Sequence, residues 1–138
     1  MTAKQATIFV VEDDDVDFKL LMRAFDKRKI ANVVVRAVDG IDALEKLRSG
    51  EVSKPFIILL DINMPRMDGQ EFLKEIRQDP EHQDTVVFLV TTSKEDEDIR
   101  QGFSQHVAGY FLKDNVAGSL DKIVDVINGY WQIVVLPE

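Results

Sequence analysis

The chain of 138 residues is 45% hydrophobic and 30% charged, the size and balance of one globular domain that can fold without a disulfide or a structural metal. It has no cysteine, which excludes thiolate catalysis and thiolate-bound zinc; it also has no apolar run of transmembrane length and no signal-like opening, so a cytoplasmic location is expected. A formal net charge of −8 argues against a basic face for nucleic acid.

In chain order, TIFVVE (7–12) reads as the first strand and runs into four consecutive acids, Glu12 to Asp15. An amphipathic segment from about 15 to 29 reads as a helix with Asp15 as its N-cap. Phe18, Leu21, Met22 and Phe25 form its core stripe, while Val16, Leu20 and Ala24 fall on nearly the opposite face at about 100° per residue. NVVVRAV (32–38) is the second strand, and the helix at 40–49 has Asp39 as its cap and Gly50 as its stop. FIILLD (56–61) is a third strand whose apolar side chains lead directly into Asp61, and the loop INMPRMDG opens a helix at 68–78 capped by Asp68. VVFLVT (86–91) and GYFL (109–112) are the last strands, with helices at 94–105, capped by Ser93, and at 116–130. His82 and His106 have no partner spacing and read as surface residues. Strands that are apolar on nearly every residue are covered on both faces, so the fold class is α/β, a five-stranded parallel sheet flanked by helices. The expected division is a domain at 1–130 and an apolar tail at 131–138.

In open α/β sheets ligands bind outside the carboxyl ends of the strands. Here those ends carry Glu12 and Asp13, then Asp61, then Thr91, Thr92 and Ser93, and finally Lys113. If the first and third strands are neighbours, Asp13 and Asp61 approach each other, and two carboxylates about 4 Å apart repel by roughly 4 kcal/mol at an effective dielectric of about 20. Two cations can offset this: Lys113, or a divalent ion bound by oxygen ligands, for which Mg²⁺ is the best chemical match.

Glu12-Asp13, LLDINMPRMDG, VTTS and GYFLKD, in this order and at these intervals, resemble the receiver domain of bacterial two-component response regulators across essentially the whole chain. The resemblance implies a flavodoxin-like (βα)5 fold with strand order 2-1-3-4-5. It also implies a single-domain regulator without an output domain, a phosphoacceptor signalling protein rather than an enzyme. Asp61 would accept a phosphoryl group from a histidine kinase or a phosphotransfer protein. Asp13, Asp61 and the backbone carbonyl of Asn63 would bind Mg²⁺, with Glu12 acting through water and Mn²⁺ as a substitute. Lys113 would pair with the acceptor and then with a phosphoryl oxygen, Thr91 would hydrogen-bond the phosphoryl group, and Tyr110 would be the switch aromatic. Val16 and Leu20 would seat the helical bundle that presents the donor histidine.

The tail and TTSKEDEDI resemble the stand-alone regulators paired with bacterial phytochromes, which implies a phytochrome kinase and a homodimer through the last helix, the fifth strand and the tail. Fold-back of Tyr130, Trp131, Ile133, Val134, Val135 and Leu136 onto the last helix is the competing arrangement. Asp114 stands where the family has proline, and because a cis bond before a non-proline costs roughly 2.5 to 4 kcal/mol, a trans bond is expected. Two other classes fit parts of the pattern. An FMN-binding flavodoxin-like carrier needs a phosphate loop after the first strand, where four acids would repel phosphate. An aspartyl-phosphate phosphatase needs a second acid two residues after the nucleophile, where Asn63 stands.

Overall fold

The computed structural model describes residues 6–113 and 119–137. Strands β1 (Thr7–Val11), β2 (Val34–Ala37), β3 (Phe56–Leu60), β4 (Val86–Thr91) and β5 (Gly109–Leu112) alternate with helices α1 (Asp15–Lys27), α2 (Gly40–Arg48), α3 (Gly69–Arg77), α4 (Asp96–Ser104) and α5 (Ser119–Ile133). All four strand pairs are parallel, in the order β2-β1-β3-β4-β5.

Alternation along the strands divides the interior into two layers. Phe9, Val11, Ile58, Leu60, Val87 and Leu89 face a core closed by α2 and α3, with Leu44, Leu47, Phe72, Leu73 and Ile76. Ile8, Val10, Ile57, Leu59, Phe88 and Val90 face the other, closed by α1 and α5 through Leu21, Ala24, Phe25, Ile123, Val124 and Ile127. Burying each large apolar side chain is worth roughly 1.5 to 3 kcal/mol, so β1 and β3, with no exposed position, hold the centre of the sheet.

Sequence expectation and structure differ at several points. Asp14, not Asp15, caps α1: its backbone is extended (φ −84°, ψ 117°) and its side chain accepts from the Asp17 amide at 3.0 Å, while Asp15 is already the first helical residue and lies 2.8 Å from Arg36. The helix stops at Lys27 because Lys29 turns left-handed (φ 54°), and the Lys29 and Ile30 amides return to the carbonyls of Asp26 and Phe25. Helix α4 starts after Glu95, which makes no side-chain cap bond; Ser93 Oγ instead donates to Asp98 at 2.5 Å. Asp39 and Asp68 cap α2 and α3 as expected, and Gly50 closes α2 at φ 79°.

Ala24 is 2% exposed and belongs to the core rather than to a second apolar face, because α1 packs against both the sheet and α5. His82 is 5% exposed, not a surface residue: its Nδ1 lies 3.0 Å from Asp79, inside the turn between α3 and β4. His106 is exposed, and its left-handed backbone (φ 63°) ends α4. Asp114 and its peptide geometry lie outside the described residues, as does the expected start of the last helix at 116–118. That helix continues through Ile133, so Trp131 to Ile133 are helical rather than tail. Tyr130, Trp131 and Leu136 pack onto the α1/α5 core, whereas Ile133 and Val135 are 84% and 95% exposed. Among the described residues no helix is long and apolar enough to cross a membrane.

Candidate functional site

Register brings the carboxylates together. Val11 of β1 pairs with Leu60 of β3, and the Asp61 amide donates to the Val11 carbonyl at 3.1 Å, so Glu12 and Asp61 leave the sheet side by side. Carboxylate oxygens of Glu12, Asp13 and Asp61 lie within 4.8 Å of one another; Glu12 and Asp61 are buried and Asp13 is exposed. Three hard oxygen donors with one side open to solvent match Mg²⁺ or Mn²⁺ and no soft metal.

Lys113, reaching over from the end of β5, faces the same group. Its Nζ donates to Glu12 Oε1 at 2.6 Å and to Asp17 Oδ2 at 2.9 Å, and lies 3.5 Å from Asp61 Oδ2. Burial, then the Asp61 charge, push the Glu12 carboxyl up to about 8 despite the Lys113 hydrogen bond. Burial alone would lower the Lys113 ammonium, but the Glu12 hydrogen bond and the Asp61, Glu12 and Asp17 carboxylates hold it well above its ordinary range.

The loop after Asp61 is fixed by close backbone approach. A Cβ on Gly69 would lie 2.2 Å from the Asp61 carbonyl oxygen, and the Gly69 amide donates to Ile62 at 2.8 Å, so the chain returns directly under the acceptor strand. Gly40 meets Met67 in the same way, with its amide 2.9 Å from the Met67 carbonyl. Arg66 (φ 62°) forks onto the buried Asp39 carboxylate at 2.6 and 3.0 Å and ties the loop to the start of α2. Asn63 is exposed on this loop, two residues beyond Asp61.

Thr91 is fully buried at the end of β4, and its Oγ1 accepts from the Ser93 amide at 3.3 Å. The Tyr110 hydroxyl donates to the Ser93 carbonyl at 2.8 Å, and its burial raises the phenol above its ordinary range. Val16 and Leu20 are exposed on α1, the helix that follows Glu12 and Asp13. Glu12, Asp13, Asp61, Asn63, Thr91 and Lys113 thus lie at or just beyond the carboxyl ends of their strands, whereas Tyr110 sits within β5 and only its hydroxyl reaches the loop after β4.

Sequence reasoning missed Asp17, Arg66 with Asp39, and the Ser93–Asp98 bond. Asp17 carried one signal, an acid one helical turn beyond Asp13 in a segment already crowded with negative charge.

Residues 8–125 match the response regulator receiver domain. The chain is 35% identical over 127 residues to the probable methanogenesis regulatory protein FilR2 of Methanothrix harundinacea, covering 90% of this chain and 82% of that protein. It is 33% identical over 135 residues to the response regulator Rcp1 of Synechocystis, covering 94% and 92% of the two chains. A crystal structure of Rcp1 in its Mn²⁺-bound form superposes with a TM-score of 0.87 at 30% identity, covering 97% of this chain and 100% of that one. The phosphorylated cyanobacterial phytochrome response regulator RcpA superposes with a TM-score of 0.88 at 34% identity, covering 98% and 100%. With an acidic triad at one sheet edge, a family match over residues 8–125 and this extent of similarity, the chain belongs to the response regulator receiver domain family.

Proposed function

We propose that this receiver domain accepts a phosphoryl group on Asp61 from a sensor histidine kinase or a phosphotransfer protein, and signals through the conformational change and protein contacts that follow. The observation that carries this reading is the position of Asp61, on a buried strand end beside Glu12 and Asp13 and 3.5 Å from Lys113. In-line attack by an Asp61 oxygen forms the O–P bond as the donor P–N bond breaks, with its electron pair left on the leaving imidazole. Mg²⁺, or Mn²⁺ in its place, supplies neutralisation of the phosphoryl oxygens when held by Asp13, Asp61 and the Asn63 carbonyl, with Glu12 acting through water. Lys113 shifts towards a phosphoryl oxygen, Thr91 turns its hydroxyl to another, and Tyr110 follows the loop that carries Ser93. The protein promotes its own phosphorylation and hydrolysis and turns over no separate substrate.

Val16 and Leu20, exposed on α1, whose Asp17 and Leu21 line the pocket, are the proposed seat of the donor's helical bundle. Similarity to the phytochrome response regulator RcpA supports a phytochrome as the kinase. Leu112, Val126, Ile133 and Val135 are exposed on β5, α5 and the segment after it, and these exposed apolar side chains support a two-fold dimer of this chain. Sedimentation at micromolar concentration tests the dimer, and a monomer would refute it.

Incubation with acetyl phosphate and Mg²⁺, followed by intact mass, tests the chemistry. The wild type gains one base-labile phosphoryl group and Asp61→Asn gains none; uptake by Asp61→Asn would overturn the assignment. Lys113→Ala retains uptake but loses the accompanying change in Tyr110 environment.

A further inference from the structure

We propose that Asp17 is a positioning residue that competes with the phosphoryl group for Lys113 and thereby restrains phosphorylation; the inference rests on Asp61 being the acceptor. It starts from a departure in helix capping. In α3 the third helical residue completes a reciprocal box: Asp68 accepts from the Glu71 amide at 2.9 Å, and Glu71 accepts from the Asp68 amide at 3.2 Å. In α1 the first half is the same, with Asp14 accepting from the Asp17 amide at 3.0 Å. The second half is missing. Glu12 Oε2 takes the Asp14 amide at 3.2 Å, and the Asp17 carboxylate turns to Lys113 at 2.9 Å instead.

The consequence is a lysine drawn to the α1 side of the site. Nζ is closer to Glu12 and Asp17 than to Asp61, at 2.6 and 2.9 Å against 3.5 Å. An ammonium has three donors. Glu12 and Asp17 hold two of them, so only the third, now 3.5 Å from Asp61, is free for a phosphoryl oxygen, and Lys113 can move closer to that group only as one of the two short contacts lengthens; Asp17 is the partner that belongs to neither the acceptor nor the acidic triad. Its carboxylate also adds negative charge where an anionic donor must approach. With 37% of its side chain exposed, Asp17 is partly screened, so its removal should act by a modest factor.

The test uses the full chain with saturating Mg²⁺ and two probes. Acetyl phosphate reports the rate of phosphorylation, and beryllofluoride, a stable mimic of a phosphoryl group on a carboxylate, reports affinity without group transfer. Asp17→Asn keeps the side-chain size and the backbone cap, and should raise both quantities by about three- to tenfold, the range for losing a partly screened charge-assisted hydrogen bond. Asp17→Glu retains a carboxylate within reach of Nζ and should stay within about twofold of wild type, a rescue that a packing role would not produce. Thermal unfolding of each variant identifies any folding defect, and Asp17→Ala gives a second neutral variant. Unchanged values in Asp17→Asn and Asp17→Ala, or a fall in either quantity with folding intact, would overturn the proposal. Phosphorylation of Asp61→Asn in the same series would instead overturn the acceptor assignment.

Discussion

Replacing Gly69 by alanine tests whether the acceptor is positioned by backbone contact. The new Cβ would lie 2.2 Å from the Asp61 carbonyl oxygen, 2.9 Å from Ile62 Cα and 3.0 Å from the Asp61 carbonyl carbon, all of them main-chain atoms with no rotamer to yield. To reach even 3.0 Å, the Asp61 carbonyl must withdraw by about 0.8 Å, which strains the hydrogen bonds Asp61 N–Val11 O and Gly69 N–Ile62 O. Overpacking of this kind costs about 1 to 3 kcal/mol. At roughly 4 °C per kcal/mol for a domain of this size, the melting temperature should fall by about 4 to 12 °C. The larger effect is on chemistry, because a displacement approaching 1 Å at a reacting group can slow the reaction by about a hundredfold. Phosphorylation by acetyl phosphate, followed by intact mass below the melting temperature, should show that loss. Gly129→Ala is the matched control, since its Cβ meets nothing within 4 Å in α5. It should raise stability by about 0.5 to 1 kcal/mol through helix propensity and leave the rate unchanged. A Gly69→Ala protein with wild-type melting and wild-type phosphorylation would refute the reasoning.

Asp39→Asn should lower stability most at neutral pH. Burial alone would raise the Asp39 carboxyl, but the Arg66 fork and the Asp42 and Ile41 amides hold it below its ordinary value of 3.8. Because the folded value is depressed, this stabilisation is present above the unfolded value and is lost as pH falls through the folded one. The melting gap between wild type and variant should therefore narrow from pH 7 to about pH 3, and a constant gap would exclude the ion pair as its source. Leu20→Glu should slow transfer from the cognate histidine kinase by about thirtyfold, the lower bound for an interface hot spot, and keep acetyl phosphate uptake within about twofold. Equal loss with both donors would point to misfolding.

The central sheet was legible because its strands are buried on both faces. FIILL and TIFVV leave no position for water, so their apolar runs carry an unambiguous signal. Edge strands are less legible at their ends: β2 pairs only from Val34 to Ala37, shorter than the apolar run 32–38. Helix ends were misjudged where an unusual residue supplied the stop. Lys29 and His106 adopt the left-handed conformation usually taken by glycine, at φ 54° and 63°, and nothing in their side chains announces it. Ala24 was misplaced because a helical wheel assumes one buried direction, whereas α1 is covered by both the sheet and α5. His82 was misread because its partner is local: Asp79, three residues earlier, folds the ring into its own turn.

At the site, residues adjoining strand ends were legible, because parallel topology sends all carboxyl ends to one edge whatever the loops do. Contacts made from helices were not. Asp17 and Lys113 are separated by 96 residues, and Asp39 and Arg66 by 27, and neither pair is marked by periodicity. The geometry also changes the question raised by the acidic run. Lys113 and a divalent ion were posed as alternatives for offsetting the repulsion between strand-end acids, yet the acids are divided between different partners. Glu12, Asp17 and Asp61 turn towards Lys113, Asp15 towards Arg36, and Asp14 caps α1. Asp13 remains exposed beside Asp61 and Glu12, on the solvent side of the group. Lys113, held against Glu12 and Asp17, makes no contact with Asp13, and a small divalent ion beside Asp13 would satisfy oxygens that Lys113 does not contact. The two cations would then be complementary, each neutralising a different part of the acidic cluster.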